Sequence, residues 1–238
     1  MDQLLKHAIE AHGGLSRWNR LRSLSGNAKI GGALWDMKGS TGVLSDVHLA
    51  AALQFQAMTL DLCPFRKRII FTPGQVSTET EDGVLIDVRN DPRCAYSEHT
   101  SESQWDDLHA GYFSAYALWG YLTTPFLYAY PGFEATEVEP WEEEGEVWRV
   151  LRVVFPESMA THTRVQHAYF GEDGLLRRHR YTVDILGGTR GVNYASKYVR
   201  VDGIMIPTER RVFTSDDQGR KIPEECLISI DLSRLSFS

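Results

Sequence analysis

The stretch AGYFSAYALWGYLTTPFLYAYPGF, residues 110–133, carries no charge, and nine of its twenty-four residues are aromatic: Tyr112, Phe113, Tyr116, Trp119, Tyr121, Phe126, Tyr128, Tyr130 and Phe133. Just upstream, Trp105, Leu108, Tyr112, Ala115 or Tyr116, Trp119 and Leu122 recur three or four apart, which predicts a helix over residues 103–122. Pro125 ends it, having no N–H to continue the ladder. The segment is long enough to cross a bilayer, but Thr123, Thr124, Pro125, Pro131 and five tyrosines dilute it. Burial in the core of the chain is expected rather than an integral membrane span.

Outward from this segment the pattern changes to strands. Upstream lie AKIGGALWDMKG, TGVLSDVHLA, AALQFQAMTLDL and RKRIIFTPGQVSTETEDGVLIDVRN, divided by Gly, Pro, Asn and Asp, with turns at Pro73-Gly74 and Asp82-Gly83. Downstream, after an acidic stretch from Glu137 to Glu146 that reads as a solvated hairpin connection, come EVWRVLRVVFP, HTRVQHAYFG, LLRRHRYTVDIL, GVNYASKYVRVDG, IMIPTERRVFTS and ECLISIDLSRLSF. Glu172-Asp173-Gly174, Asp202-Gly203 and Asp217-Gln218-Gly219 supply their turns. Ahead of all this, Leu4, Leu5, Ala8 and Ile9 repeat at helical spacing after the N-cap candidate Asp2, Gly13-Gly14 ends the run, and Ser16 is expected to cap a second short turn. No linker or low-complexity tract divides the chain, so residues 1–238 are expected to form one domain, α+β but mainly β, with the strands before and after the central helix in one large antiparallel sheet.

Residues two apart on a strand share a face. His179, Tyr181, Val183 and Ile185 therefore form one face, read as inward, opposite Arg178, Arg180, Thr182 and Asp184. By the same count Thr163, Val165, His167 and Tyr169 share a face, as do Val147, Arg149, Leu151, Val153 and Phe155, and both sets are read as inward.

Composition narrows the function. A net charge of −7 argues against a general phosphate-binding surface, so no nucleic-acid partner is expected. Cys63, Cys94 and Cys226 are widely spaced without a CxxC, which indicates neither a disulfide framework nor a zinc knuckle. The start, MDQLLKHAIEAHGG, has no basic, apolar and small-residue sequence of a secretory signal, so a cytoplasmic location is expected. There is no HExxH or HxH, and His162 and His167, five apart, point to opposite faces of one strand, so no metal site is expected. Gly13-Gly14, Gly31-Gly32 and Gly187-Gly188 are not phosphate loops, and no cofactor is expected.

The segments YFGEDGLLRRHRYTV, residues 169–183, and YVRVDGIMIPTERRVF, residues 198–213, together with the short N-terminal helix, the run of hairpins and the central aromatic helix, resemble the bacterial lipoprotein-carrier-like family typified by LolA. The resemblance covers the C-terminal third well and the rest loosely. It implies an unclosed half-barrel: one strongly curved antiparallel sheet whose concave face is covered by helices, with an apolar hollow that takes acyl chains or a similar ligand. The chain departs from the carriers in its lack of an export signal and in the aromatic richness of its central helix.

On this reading the protein binds a hydrophobic or lipid-like small molecule. Trp105, Tyr112, Tyr116 and Trp119 form the wall, His109 is a candidate gate, and Tyr169, His179 and Tyr181 supply directional contacts. Asp106 and Asp107 are explained by the helix N-terminal dipole alone. An alternative is a cofactor-independent isomerase, cyclase or hydrolase with His167 or His179 as acid/base and tyrosine hydroxyls as donors. Another is a structural or protein-interaction module that docks its aromatic segment on a protein partner of unknown identity.

Overall fold

The computed structural model describes residues 1–100, 102–223 and 225–238. Helix α1, Gln3–Ala11, starts where Asp2 accepts the backbone N–H groups of Leu4 and Leu5, and it buries Leu4, Leu5, Ala8 and Ile9. Helix α2, Leu15–Trp18, begins at Gly14 rather than at a Ser16 cap. After strand β1, Ser23–Gly31, the residues expected to continue as strand form instead a short helix, α3, Ala33–Met37. Gly32 at φ 111° turns the chain out of the strand, and the adjacent Leu34 and Trp35 are both buried, which a strand with one buried face does not allow.

Strands β2 (Val47–Ala52), β3 (Met58–Leu62), β4 (Lys67–Thr72), β5 (Gln75–Thr80) and β6 (Leu85–Asn90) complete a first antiparallel meander. Helix α4, Asp107–Thr123, follows; Asp106 caps it by accepting the His109 N–H. A second meander then runs through β7 (Glu134–Glu143), β8 (Glu146–Val154), β9 (Val165–Phe170), β10 (Leu176–Val183), β11 (Thr189–Val201), β12 (Ile204–Thr214) and β13 (Ile228–Phe237). The acidic stretch expected as a loop is β7 with its turn at Glu144-Gly145; as an edge strand it pairs with β8 while Glu134, Glu139 and Glu142 stay in solvent and Glu143 turns towards Arg178.

Because β1 pairs with β13, the two meanders merge into one thirteen-stranded sheet in the order β6-β5-β4-β3-β2-β1-β13-β12-β11-β10-β9-β8-β7. The edges β6 and β7 stay unpaired with each other, so the barrel does not close. Flat, such a sheet would be roughly 58 Å wide at about 4.8 Å per strand. Yet α4 packs on β3, β4, β5 and β6, donates from Trp119 to Ala52 at the end of β2, and meets Tyr181 of β10 and Arg210 of β12 through Tyr121. A helix is only about 10–12 Å thick. One helix can touch both arms only if the sheet curls around it, which is the strongly curved half-barrel expected from the sequence.

Strand pairing fixes the faces. His179 is opposite Ala168 and Leu151 is opposite Ala168, so Leu151, Val153, Ala168, His179 and Tyr181 share the concave face as alternation along β8 and β10 predicts. For β9 the expectation is overturned. Val165, His167 and Tyr169 lie on the convex face, and Gln166, Ala168 and Phe170 turn inward. Every second residue of β9 carries a plausible core side chain on either side, so alternation alone does not choose.

Inside the curl the packing is tight. A Cβ built on Gly111 of α4 would lie 2.9 Å from Cδ1 and Cγ2 of Ile69 on β4, so the helix rests on the strand at this glycine. Gly111→Leu is expected to lower unfolding stability by about 1–3 kcal/mol in urea titration despite leucine's better helix propensity. An unchanged or raised midpoint would show that α4 does not pack here.

Candidate functional site

All nine aromatic side chains of residues 110–133 are buried or half-buried within the chain. Trp105 packs edge-on against Trp35 and Tyr96, with the Lys38 ammonium 5.6 Å from its ring centre. His109 stacks obliquely on His99 and meets Tyr96, which donates to the His109 carbonyl; the Asp106 carboxylate lies 2.7 Å from His109 Nδ1 in a contact too bent for a hydrogen bond. Tyr112 lies among Phe71, Tyr96 and Tyr116, and Trp119 is fully enclosed. These residues thus lie together on one helix and its N-terminal approach, as the spacing predicts, but as filling of the hollow. The two crevices beside α4 hold only about 10 Å³ each, room for about one water apiece.

Deeper in, α4 presents tyrosines to the C-terminal arm. His162, in the loop before β9, bridges two of them: Tyr116 Oη lies 3.1 Å from Nδ1 and Tyr121 Oη 2.9 Å from Nε2. Tyr121 Oη is also 2.6 Å from Tyr181 Oη, and the His162 and Tyr181 rings stack at 4.2 Å. The result is a buried hydrogen-bonded chain, Tyr116–His162–Tyr121–Tyr181. Burial, reinforced by the Arg93 charge, holds His162 at a pKa of about 3, and burial lifts the phenols of Tyr116 and Tyr181 well above the usual value.

Next to this chain are three polar residues from neighbouring strands. His179 of β10 pairs with Asn193 of β11, Asn193 pairs with Val212 of β12, and Arg210 stands two residues from Val212 on the same face. Arg210 is 2% exposed. Its Nη2 donates to the Tyr121 carbonyl at 2.9 Å, and its guanidinium carbon lies 4.8 Å from the Tyr121 ring centre. The residue four beyond Tyr121 is Pro125, which has no N–H, so the guanidinium supplies the donor this helix end lacks. That accounts for Nη2 only. Among the described residues, Nη1 of Arg210, both ring nitrogens of His179 and Oδ1 of Asn193 are buried without a hydrogen bond, while the Asn193 amide nitrogen faces the Tyr121 hydroxyl. Among the described residues no carboxylate lies within 4.0 Å of Arg210.

Tyr169 and His167 are not part of this set. On the convex face, Tyr169 joins Trp141, Trp148, Val150 and Tyr194 in a small second core around Arg178, whose guanidinium lies 4.8 Å from the Tyr169 ring centre and 4.9 Å from that of Trp141. Arg178 is fully buried there, ion-paired at 2.8 Å to Glu143 and donating to the Gly219 carbonyl, so it ties the β12–β13 connection to the edge hairpin. His167 lines a convex depression of about 220 Å³ with Arg180, Arg190 and Asp216. The sequence reading therefore gathered Trp105, His109, Tyr112, Tyr116, Trp119, His179 and Tyr181 on the concave side and misassigned Tyr169 and His167. It missed Tyr121, His162, Asn193 and Arg210. Alternation through Ile204, Ile206, Thr208, Arg210 and Val212 held the signal for Arg210, a charge in step with three aliphatic residues; His162 lies in an irregular loop with no periodic signal.

The arrangement bears on chemistry. A general base works best with a pKa near the working pH. His162 at about 3, His167 at about 4 and His179, driven far down by burial and the Arg210 charge, are too weakly basic for that role at neutral pH. Among the described residues no group of three His, Cys, Asp or Glu side chains is placed to hold a metal ion, and no helix is long and apolar enough to cross a membrane.

No family model matches the chain, and no curated protein matches it by sequence. Solved structures do share the fold. A DUF1329 family protein from Desulfovibrio piger superposes with a TM-score of 0.56 at 10% identity, over 99% of this chain and 92% of that one. A LolA superfamily protein from Nitrosomonas europaea gives 0.53 at 9% identity over 99% and 93%. An outer-membrane lipoprotein-sorting protein domain from Vibrio parahaemolyticus gives 0.50 at 8% identity over 99% and 91%. The fold is thus LolA-like, as the two C-terminal segments suggested.

The buried imidazoles make stability depend on pH. His12, capping α1 with Nδ1 against the Ala8 carbonyl, is held at about 4 mainly by burial, and His162 at about 3, whereas both titrate near 6.5 when unfolded. Below pH 6.5 the unfolded chain takes up protons that the folded chain refuses. The stabilisation is fully present above 6.5 and is lost as pH falls towards 4, at about 1.4 kcal/mol per pH unit per histidine. Urea midpoints measured from pH 7 to 4.5 are expected to fall accordingly, and less steeply in His162→Asn. A flat profile would mean that these imidazoles are not buried neutral.

Proposed function

We propose that the protein binds a hydrophobic, lipid-like small molecule between the curved sheet and α4, with α4 moving to admit it. The observation that carries this reading is the pair of crevices beside the helix. One, against β1 and β13, is lined by Ile30, Trp35, Phe113, Leu118, Ile228 and Ile230; the other, against β9 and β10, by Tyr116, Phe155, His162 and His179; both share Ala117 and Tyr121. Displacing that one turn of α4 joins them into a single cavity between the two arms of the sheet.

Energetics favour such an exchange. Opening breaks a few neutral hydrogen bonds, among them Tyr116–His162 and Tyr121–Tyr181, at about 1 kcal/mol each net. Burying a chain of about sixteen methylenes contributes of order 10 kcal/mol before ordering costs. The use of the same fold by a lipoprotein-sorting protein supports an apolar cargo. Because the aromatics of α4 face inward, the hollow is a better place for a small molecule than their surface is for a protein partner.

Native mass spectra of freshly purified protein, followed by denaturation and identification of what is released, test the proposal. A stoichiometric hydrophobic compound is expected, and Tyr116→Ala and Trp119→Ala are expected to change how much is retained. Ligand-free protein that also takes up no long-chain fatty acid or fatty alcohol would refute it.

A further inference from the structure

We infer that the hollow selects an amphiphile with a single carboxylate head, held by Arg210, His179 and Asn193; the inference rests on the apolar-ligand reading above and names its chemical class. Among the described residues, four buried polar atoms on three adjacent strands, Arg210 Nη1, His179 Nδ1 and Nε2, and Asn193 Oδ1, have no hydrogen-bond partner, and the Asn193 amide nitrogen has only the Tyr121 hydroxyl it faces. Leaving buried donors and acceptors unpaired is costly, and most such groups in folded proteins are paired. The adjoining crevice of about 10 Å³ reaches His179 but is not lined by Asn193 or Arg210, so one water there cannot serve the set.

The surroundings define the ligand's charge. Around Arg210 stand Tyr121, Tyr128, Tyr181 and Tyr198, together with the imidazoles of His12 and His179, and no acid within ion-pair distance among the described residues. One guanidinium with no carboxylate partner leaves a single positive charge to be met. A carboxylate meets it with one negative charge and with a planar, two-oxygen shape that matches the guanidinium fork. A phosphate monoester dianion would bring a second charge, and the other buried Lys and Arg side chains among the described residues, Lys38 and Arg178, lie at the end of α3 and on the convex face. His179 and the Asn193 amide group are placed to donate to the remaining lone pairs.

In the present structure the Tyr121 carbonyl, at the negative end of α4, occupies one side of the guanidinium. A ligand carboxylate competes for that same group. Its arrival releases the end of the helix from Tyr121 onwards, and with it the turn from Ala117 to Tyr121 that separates the two crevices, so head-group recognition and opening of the hollow are one event.

The test compares oleate with oleyl alcohol, which share the chain and differ in the head, by titration calorimetry on the full chain. The wild-type protein is expected to bind oleate at least about tenfold more tightly. In Arg210→Met that ratio is expected to fall towards one, and Arg210→Lys, which keeps the charge without the fork, to give an intermediate ratio. Equal binding of the two probes by the wild type would overturn the inference while leaving apolar binding intact; a ratio that persists in Arg210→Met would overturn the assignment to this arginine. Binding of neither probe would instead refute the apolar-ligand reading itself.

Discussion

The fold depends on burying a helix that is apolar around most of its circumference. A surface helix needs one covered stripe, but α4 places Tyr112, Phe113, Tyr116, Leu118, Trp119 and Leu122 on different sides and buries all of them. No flat sheet can cover such a helix. The thirteen strands curl until their two arms reach it from both sides, and the pairing of β1 with β13 makes that curl continuous. The chain order follows: the polypeptide leaves the β6 edge, passes through the hollow as α4, and begins the far edge as β7. The edges β6 and β7 stay unpaired with each other.

Against this apolar filling, the polar groups of the concave face are unevenly served. The chain from Tyr116 through His162 and Tyr121 to Tyr181 is hydrogen-bonded along its length. Immediately beside it, Arg210 Nη1, both ring nitrogens of His179 and Asn193 Oδ1 have no hydrogen bond among the described residues. The same low-polarity surroundings that strengthen the satisfied chain make the unsatisfied set costly. Arg178 on the convex face shows the contrast: equally buried, it has Glu143 as a carboxylate partner and aromatic rings on its flanks. One buried arginine has a carboxylate partner, with only its Nε left without a hydrogen bond among the described residues. The other has a helix carbonyl and no carboxylate.

Much of this was legible in the sequence. The uncharged aromatic stretch announced a buried helix, the hairpin turns announced a single meandering sheet, and the two C-terminal segments pointed to the half-barrel. What failed, failed for physical reasons. β9 has core-sized side chains on both faces because Tyr169 serves a second, convex core that nothing in a single strand's pattern reveals. The acidic β7 looked like a loop because an edge strand can keep its charges in solvent. The helix ALWDM looked like strand because five residues are too few to show a period. Arg210 was visible as a charge on an apolar face, but its meaning came only with the three-strand pairing that sets it beside His179 and Asn193.

On the proposed function, ligand and the end of α4 compete for the same space. Amide hydrogen exchange across residues 107–123, recorded with and without saturating oleate, tests it most directly. Protected amides are expected throughout α4 in the free protein, with faster exchange in its last two turns, residues 117–123, when oleate is bound. Unchanged or stronger protection of those turns in the complex would mean that the ligand binds without moving the helix, and the competition would be refuted.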